Sequence, residues 1–359
     1  MKVLHVTDAW AAGVAPAVGG WITSCALVDH AVLARGRDGL PLPTMAGVEM
    51  FTLPARPLAA ARALRRTVLA TGAEVVHAHS SRAGVLARVV PTGASVVYTP
   101  HGFAFQRTDV SGLMRRLFRL AEWLLARTRA TIIACGRYEG ELARGLGRPG
   151  RVIEVPYAMP DVRRAGVESC EPPAGGGRVV FMGRLAPQKG VEFATAVVAA
   201  VRRRRPAVEV LWVGGGGEAE AELLRGAGVT VTGWVDRADA LDLLTTADVY
   251  VHTAAWEGLP LTVLEALSAG IPVVARTLGP LDELHVPQAA TPEEVAALAD
   301  HVLSPAGRAT ATSAAAGVQA ARPATDEVGR RLAAAYTSAR HHSGVSSPRS
   351  AASRRASST

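Results

Sequence analysis

Two glutamates, Glu257 and Glu265, frame the run Trp-Glu-Gly-Leu-Pro-Leu-Thr-Val-Leu-Glu-Ala-Leu-Ser-Ala-Gly at 256–270. Pro260 suits a first helical turn, where its missing N–H costs nothing. Glu257 then lies in the loop before a helix, and Glu265 lies about one and a half turns into it. The N–H groups of Gly258, Leu259 and Leu261, with Pro260 between them, form a helix N-terminus that suits a phosphate. One carboxylate flanks that phosphate, and the other can reach a neighbouring hydroxyl-rich group. Taken singly, Glu257 also reads as a helix-entry carboxylate favoured by the dipole, and Glu265 as an exposed helix residue.

A second segment, Gly183-Arg184-Leu185-Ala186-Pro187-Gln188-Lys189-Gly190, follows a buried apolar run and precedes a helical one. Arg184 and Lys189 can aim two cations at one point. A leaving diphosphate develops negative charge, which such cations and helix-end N–H groups stabilise. The plainer reading is a polar loop with solvated charges. The chain has no Asp-x-Asp pair to hold a divalent ion. Arg184 and Lys189 would stand in for that ion, so no metal and no resident cofactor is expected.

In the first half, the run 95–99 leads into Pro100-His101-Gly102-Phe103. His101, at a strand's carboxyl end, can bond a hydroxyl or handle a proton, and Gly102 lets a ligand approach the backbone. A loop histidine satisfied by backbone is the alternative. His77 and His79 alternate onto one face at the end of strand 74–78, which can bring at least one near the cleft, while a structural role is the favoured reading for both. Gly13 is the loop glycine between the first strand and a helix that opens at Pro16. Gly19 and Gly20 fall inside that helix and are expected to serve close packing. Gly214, Gly215, Gly216 and Gly217 form a flexible strand-to-helix loop whose backbone a ligand can touch. No Gly-x-Gly-x-x-Gly follows a strand, so the dinucleotide fingerprint is missing.

These residues need elements to hold them. β-branched runs at 2–7, 48–53, 74–78, 95–99, 131–134 and 151–155 alternate with helical stretches at 15–30, 57–71, 81–90, 111–128 and 136–145. The alternation restarts with strands at 178–182, 208–213, 229–232, 248–252 and 271–275. Helices fall between them at 190–204, 217–227, 237–246 and 260–269, with late ones at 292–303 and 323–339. Such alternation implies βαβ units and a doubly wound parallel sheet, twice over. The expected organisation is a Rossmann-like domain over 1–156, a linker over 157–177, a second Rossmann-like domain over 178–339 and a disordered basic Ser/Arg tail over 340–359. A ligand belongs in the cleft, at the carboxyl ends of both sheets.

Composition sets bounds. With 359 residues, 49% of them hydrophobic, and a mean hydropathy of +0.19, the chain can bury two cores. No apolar run reaches the ~18 residues of a membrane span. The start, Met1-Lys2-Val3-Leu4-His5-Val6, reads as a buried strand rather than a leader. Cys25, Cys135 and Cys170 are widely spaced, which argues against a disulfide framework and a structural zinc, and fits a reducing, cytoplasmic setting. The net charge is +8, but only two of the 39 basic residues are lysines, and Arg340, Arg349, Arg354 and Arg355 crowd the tail. Scattered arginines without an aromatic-basic module argue against nucleic acid. Segment 111–129 carries Leu113, Leu117, Leu120 and Leu124 at helical spacing beside Arg115, Arg116 and Arg119, with Phe118 and Trp123. It either docks on an anionic membrane surface or packs its leucine stripe on the sheet.

Taken together, Glu257-x7-Glu265 in its WEGLPLTVLEALSAGIPVV context, Gly183-Arg184-Leu185 with Lys189-Gly190, the Gly214–Gly217 loop and Thr99-Pro100-His101-Gly102 resemble glycosyltransferase family 4. The resemblance covers about residues 2–303. It implies an α/β GT-B fold, two doubly wound domains facing across a cleft. It also implies a retaining, metal-independent transferase that uses a nucleotide-diphosphate sugar. By that resemblance Arg184 and Lys189 bind the diphosphate, Glu257 contacts the transferred sugar and Glu265 binds the ribose hydroxyls. His101 bonds the sugar and helps the leaving group, and Gly13 lies near the donor phosphates. The chain departs from the family where Pro156-Tyr157-Ala158 stands for the frequent Pro-Asn-Gly, and where Gly279-Pro280-Leu281-Asp282-Glu283 replaces a Gly-Gly-x-Pro-Glu pattern. The expected activity is transfer of a hexose from a UDP-sugar, with GDP second, to a glycan or lipid-linked acceptor. The expected setting is cell-surface polysaccharide synthesis. A sugar-nucleotide epimerase or a non-catalytic nucleotide-sugar-binding module are the alternatives.

Overall fold

The computed structural model describes residues 1–10, 13–36, 42, 44–147, 151–162 and 176–343. Among these, the β-branched runs pair into two sheets whose strands are all parallel. The first holds β1 (Lys2–Trp10), β2 (Asp29–Gly36), β3 (Glu49–Thr52), β4 (Val75–His79), β5 (Ser95–Thr99), β6 (Thr131–Ala134) and β7 (Val152–Glu154), in the order β3-β2-β1-β4-β5-β6-β7. The second holds β8 (Arg178–Met182), β9 (Glu209–Val213), β10 (Thr230–Val231), β11 (Val249–His252), β12 (Val273–Arg276) and β13 (Gln288–Ala289), in the order β10-β9-β8-β11-β12-β13. Each order reverses beside its first strand. The crevices at these switch points, β1/β4 and β8/β11, are where open α/β sheets bind ligands. The chain is a doubly wound α/β protein in two domains, the architecture that the resemblance implies.

Helices α1 (Val14–Ser24), α2 (Pro57–Thr71), α3 (Ser81–Val89), α4 (Gly112–Leu125) and α5 (Arg137–Arg144) serve the first sheet. Helices α6 (Val191–Arg204), α7 (Glu218–Gly226), α8 (Arg237–Thr245), α9 (Leu261–Ser268) and α10 (Pro292–Val302) follow, then α11 (Pro305–Ala321) and α12 (Thr325–Ser343). One apolar cluster crosses from domain to domain, joining Trp21, Tyr157, Val180, Leu264, Leu281 and Leu332.

Several elements differ from the sequence reading. The first helix stops at Ser24 rather than running to 30, because 29–36 pairs with β1 as a strand. Ala31, Ala34 and the neighbouring apolar residues fit either period, and sheet pairing decides. Gly13 is the N-cap of α1, so Pro16 stands inside the first turn rather than at its start. Gly19 and Gly20 do not serve close packing: a Cβ on Gly20 would meet nothing within 4 Å, and one on Gly19 only Met45 Cε at 3.8 Å. The alanine-rich α11 lacks an apolar period but has high helix propensity, a Ser304 cap and Pro305 in its first turn.

The last helix returns to the first sheet. Tyr336 is fully buried and its hydroxyl lies 2.8 Å from His77 Nδ1, while Arg340 pairs with Glu74 at 2.7 Å. Residues 340–343 are therefore helical, unlike the expected tail, whose remainder (344–359) lies outside the described residues, as do 163–175 of the expected linker. In α4 only Glu122 is buried, held by Arg88 and by the Tyr98 hydroxyl. Its leucine stripe does not pack on the sheet: Leu113, Leu117, Leu120 and Leu124 are all exposed.

Candidate active site

The carboxyl end of β5 leads into a turn at His101 and Gly102, both with positive φ (52° and 92°). A non-glycine residue seldom sits there, so His101 is held by its surroundings. Its Nε2 lies 2.9 Å from His79 Nδ1, and its Nδ1 lies 2.6 Å from the Tyr157 hydroxyl. Both ring nitrogens are thus engaged by protein partners. Burial pushes the His101 imidazole down to about 3. The Gly102 N–H donates to Glu139 Oε1 (2.7 Å), and Glu139 Oε2 accepts from the Cys135 N–H (2.9 Å). Glu139 is buried at the start of α5, and burial pushes its carboxyl up.

Neither His77 nor His79 opens to the cleft. Both are fully buried; His79 reaches the turn only through His101, and His77 bonds Tyr336 and Thr99. Alternation placed them on one face correctly, but that face is covered by α1 and α12. Trp21 stacks on His77 at 5.6 Å between centroids. Gly13 is exposed, with open space where a Cβ would project.

In the second domain, Lys189 closes a 3-10 turn (Pro187–Lys189) before α6. Its Nζ lies 2.5 Å from Glu257 Oε1, while Gln188 Nε2 donates to Glu257 Oε2 at 3.2 Å. The pair is only 18% and 11% exposed, so little water screens it. A diphosphate reaching Lys189 would compete with Glu257 for the same ammonium. Arg184 is half-buried in the loop after β8, one residue past Gly183. Gly183 takes φ 148°, where a Cβ would lie 2.7 Å from Lys189 Cε, so glycine here makes room for the lysine stem.

Glu265 sits in α9 and is 1% exposed, not the exposed helix residue of the plainer reading. Its Oε1 accepts from Arg237 Nη2 at 2.5 Å. Its Oε2 is buried with no protein partner. An unsatisfied carboxylate oxygen is costly, and hydroxyl donors of a ligand would satisfy it. Pro260 is the N-cap of α9 rather than its first residue, so the helix opens at Leu261. Gly258, Leu259 and Pro260 are buried, and the Leu259 backbone bonds the Cys135 thiol across the domain boundary.

The Gly214–Gly217 loop is tied to its neighbours. Isolated bridges tie Gly214 to Gly233 and Gly216 to Leu185, and a Cβ on Gly214 would lie 2.3 Å from the Gly183 carbonyl oxygen. Glycine is needed there because the loop backbones touch. The turn Gly279–Leu284 leans toward the first domain: Gly279 abuts the Tyr138 ring, and Glu283 Oε2 accepts from the Arg137 N–H at 3.5 Å.

The structure thus brings His101, Gly102, Glu257 and Gly258 together at the domain boundary, with Lys189 joined to Glu257 and Glu265 on the following helix. The sequence reading missed Tyr157, Glu139, Gln188 and Arg237. Gln188 lay inside the Gly183–Gly190 motif and Arg237 opened a helix after Gly233-Trp234, so both carried a local signal. Tyr157 was visible only as a departure from the family pattern, and Glu139 carried no signal.

Over residues 12–158 the chain matches the family described as "Glycosyl transferase 4-like domain", and over 176–305 the one described as "Glycosyl transferases group 1". It is 23% identical over 302 residues to an uncharacterized 41.2 kDa protein in the cps region of Klebsiella pneumoniae, covering 79% of this chain and 83% of that one. It is 26% identical over 227 residues to the UDP-Gal:alpha-D-GlcNAc-diphosphoundecaprenol alpha-1,3-galactosyltransferase of Escherichia coli, covering 57% of this chain and 58% of that protein. Its fold is that of Anabaena Alr3699/HepE, solved in complex with UDP and glucose: TM-score 0.73 at 17% identity, over 94% of this chain and 100% of the other.

Proposed function

This chain belongs to glycosyltransferase family 4, the group 1 glycosyl transferases, and from that premise we propose that it moves a hexose from a UDP-sugar to a glycan or lipid-linked acceptor with retention of configuration. The observation that carries this reading is the buried Glu265 Oε2, left without a protein partner on the helix that follows the Glu257–Pro260 loop. A ribose supplies the hydroxyl donors that such an oxygen lacks. With the ribose there, the diphosphate falls between the start of α9 and the cations Arg184 and Lys189, and the sugar falls toward Glu257 and the His101–Gly102 turn.

In the proposed reaction the acceptor oxygen bonds the anomeric carbon as the bond from that carbon to the diphosphate breaks. The acceptor's proton passes to the leaving phosphate. Arg184 and Lys189 stabilise the charge that develops there, in place of a divalent ion. Contact between the domains excludes the water that would otherwise hydrolyse the donor.

The UDP assignment draws on the Escherichia coli relative and the Anabaena complex. A lipid-linked acceptor draws on the same relative and on α4. That helix exposes Leu113, Met114, Leu117, Leu120, Trp123 and Leu124 together with Arg115, Arg116 and Arg119. An apolar stripe flanked by arginines complements an anionic lipid surface, so we place the protein peripherally on such a membrane. No helix among the described residues is long and apolar enough to cross one.

Calorimetric titration with UDP, GDP and ADP and their sugar conjugates tests the reading. Binding of the uridine series, weakened in Glu265→Ala, is the expected result. Binding of none by folded protein would reject it, and donor conversion without acceptor would point to an epimerase.

A further inference from the structure

Four histidines form an unbroken row of ring-to-ring hydrogen bonds behind the cleft. His30 Nε2 lies 2.9 Å from the Cys25 carbonyl oxygen, and His30 Nδ1 lies 3.0 Å from His5 Nε2. His5 Nδ1 lies 2.9 Å from His79 Nε2, and His79 Nδ1 lies 2.9 Å from His101 Nε2. The Tyr157 hydroxyl closes the row at His101 Nδ1, 2.6 Å away. Strand register explains the alignment. Val3 pairs with His30 on β2, and His5 and Thr7 pair with His77 and His79 on β4. Side chains alternate along a strand, so His5, His30 and His79 share one face.

A neutral imidazole offers one N–H and one lone pair, and a carbonyl oxygen only accepts. His30 must therefore carry its proton on Nε2. Its Nδ1 then accepts, which puts the His5 proton on Nε2. The same step fixes His79 and His101, and Tyr157 donates to His101 Nδ1. Burial pushes all four imidazoles below their ordinary value, so each stays neutral at pH 7. Ring nitrogens of His5, His77 and His79 come within 4.8 Å of one another, a spacing that fits a metal ion. Every one of those nitrogens already has a hydrogen-bond partner, however: His77 bonds Tyr336 and Thr99, and the others belong to the row. A metal would have to break that network.

We infer that His30, His5 and His79 are positioning residues: anchored on the Cys25 carbonyl, they lock His101 as its Nε2–H tautomer and hold the His101–Gly102 turn in its left-handed conformation against the Glu257–Gly258 loop. The row ends on a carbonyl that accepts a hydrogen bond and passes no proton on, so it orients rather than conducts. Tyr157, which stands where the family often has asparagine, supplies the donor that the last lone pair requires. The consequence for sugar transfer rests on the transferase reading above; the tautomers do not.

The test is a long-range proton–nitrogen correlation spectrum of the full chain with labelled histidines, free of ligand at pH 7, joined to hydrogen exchange at the Gly102 amide. The expected spectrum shows a protonated Nε2 and an unprotonated Nδ1 for His5, His30, His79 and His101. In His30→Phe, which removes the anchor, His101 becomes a mixture of tautomers and the Gly102 amide exchanges about tenfold faster. In His30→Gln, whose amide N–H and carbonyl replace both bonds, the wild-type pattern returns. A protonated Nδ1 on wild-type His101 overturns the inference without any variant having to fold. Equal Gly102 exchange in the Phe and Gln variants overturns it too. Neither readout uses substrate, so a failure to bind UDP would reject the transferase reading and leave this one standing.

Discussion

Gly102 and Gly258 touch backbone to backbone across the domain boundary. A Cβ on Gly102 would lie 2.9 Å from Gly258 N, and one on Gly258 would lie 2.7 Å from both Gly102 N and the His101 carbonyl carbon. The turn that ends β5 and the loop that precedes α9 are thus fitted to each other with no room for a side chain. Gly258→Ala is expected to wedge the two apart. Transfer kcat should fall about tenfold, equivalent to ~1.4 kcal/mol of barrier, while UDP affinity changes by less than about twofold, a factor worth only ~0.4 kcal/mol. Steady-state kinetics beside a binding titration separates the two, and an unchanged kcat would show that the contact is dispensable.

Glu265 presents one buried carboxylate oxygen that no protein group bonds. Glu265→Gln keeps the shape and removes the charge, so UDP affinity should fall about tenfold, within the ~1.5–3 kcal/mol of a hydrogen bond to a charged group. Ligand-free stability should hold or rise, since one buried carboxylate oxygen lacks a partner. Melting curves with and without UDP read both. A large loss of stability in the free variant would mean that Glu265 serves the fold.

Acid should unfold this protein early. Burial depresses the imidazoles of His5, His30, His77, His79 and His101, the last to about 3 from an ordinary 6.5. The unfolded chain therefore binds more protons than the folded one once pH drops below 6.5. Stability is full above that value and declines as pH falls, toward about 3 for His101. The slope reaches about 1.4 kcal/mol per pH unit for each histidine. Glu139 and Glu283, pushed up by burial, act in the opposite sense, stabilising the folded state as pH falls, but they are outnumbered. Urea titrations from pH 7.5 to 4.5 should show a midpoint that drops steeply below about pH 6.5; a flat profile would contradict the buried neutral row.

Exposed leucines on α4 can be changed without touching the core. Leu117→Gln with Leu120→Gln should leave stability within about 0.5 kcal/mol and reduce sedimentation with anionic vesicles severalfold. Equal sedimentation by wild type and variant would remove the membrane assignment.

Much of this was legible in the sequence where the signal is local. The Glu257-x7-Glu265 run and the Lys189 loop are single strand-to-helix connections, so spacing alone places their residues at strand ends. The strand of 29–36 was not legible, because its alanines fit helix and strand alike and only pairing with β1 chooses. The histidine row was beyond reach for another reason. His5 and His79 are 74 residues apart, and their meeting depends on register between β1 and β4, which no local pattern states. One hint existed: His5, His77 and His79 all sit in apolar strands, where a polar side chain must find a partner. The inward turn of the His101 ring likewise follows from distant residues, His79 and Tyr157.

The return of α12 to the first sheet means that the chain passes between the domains twice. The outward passage leaves β7 at Pro156 and the homeward one runs through Arg322 and Pro323, and both line one cavity beside Glu283 and Arg137. Two neighbouring tethers define an axis. A movement of one domain on the other would pivot on that axis rather than slide across it. Such a pivot would bring Gly102 and Gly258 back to the same meeting point.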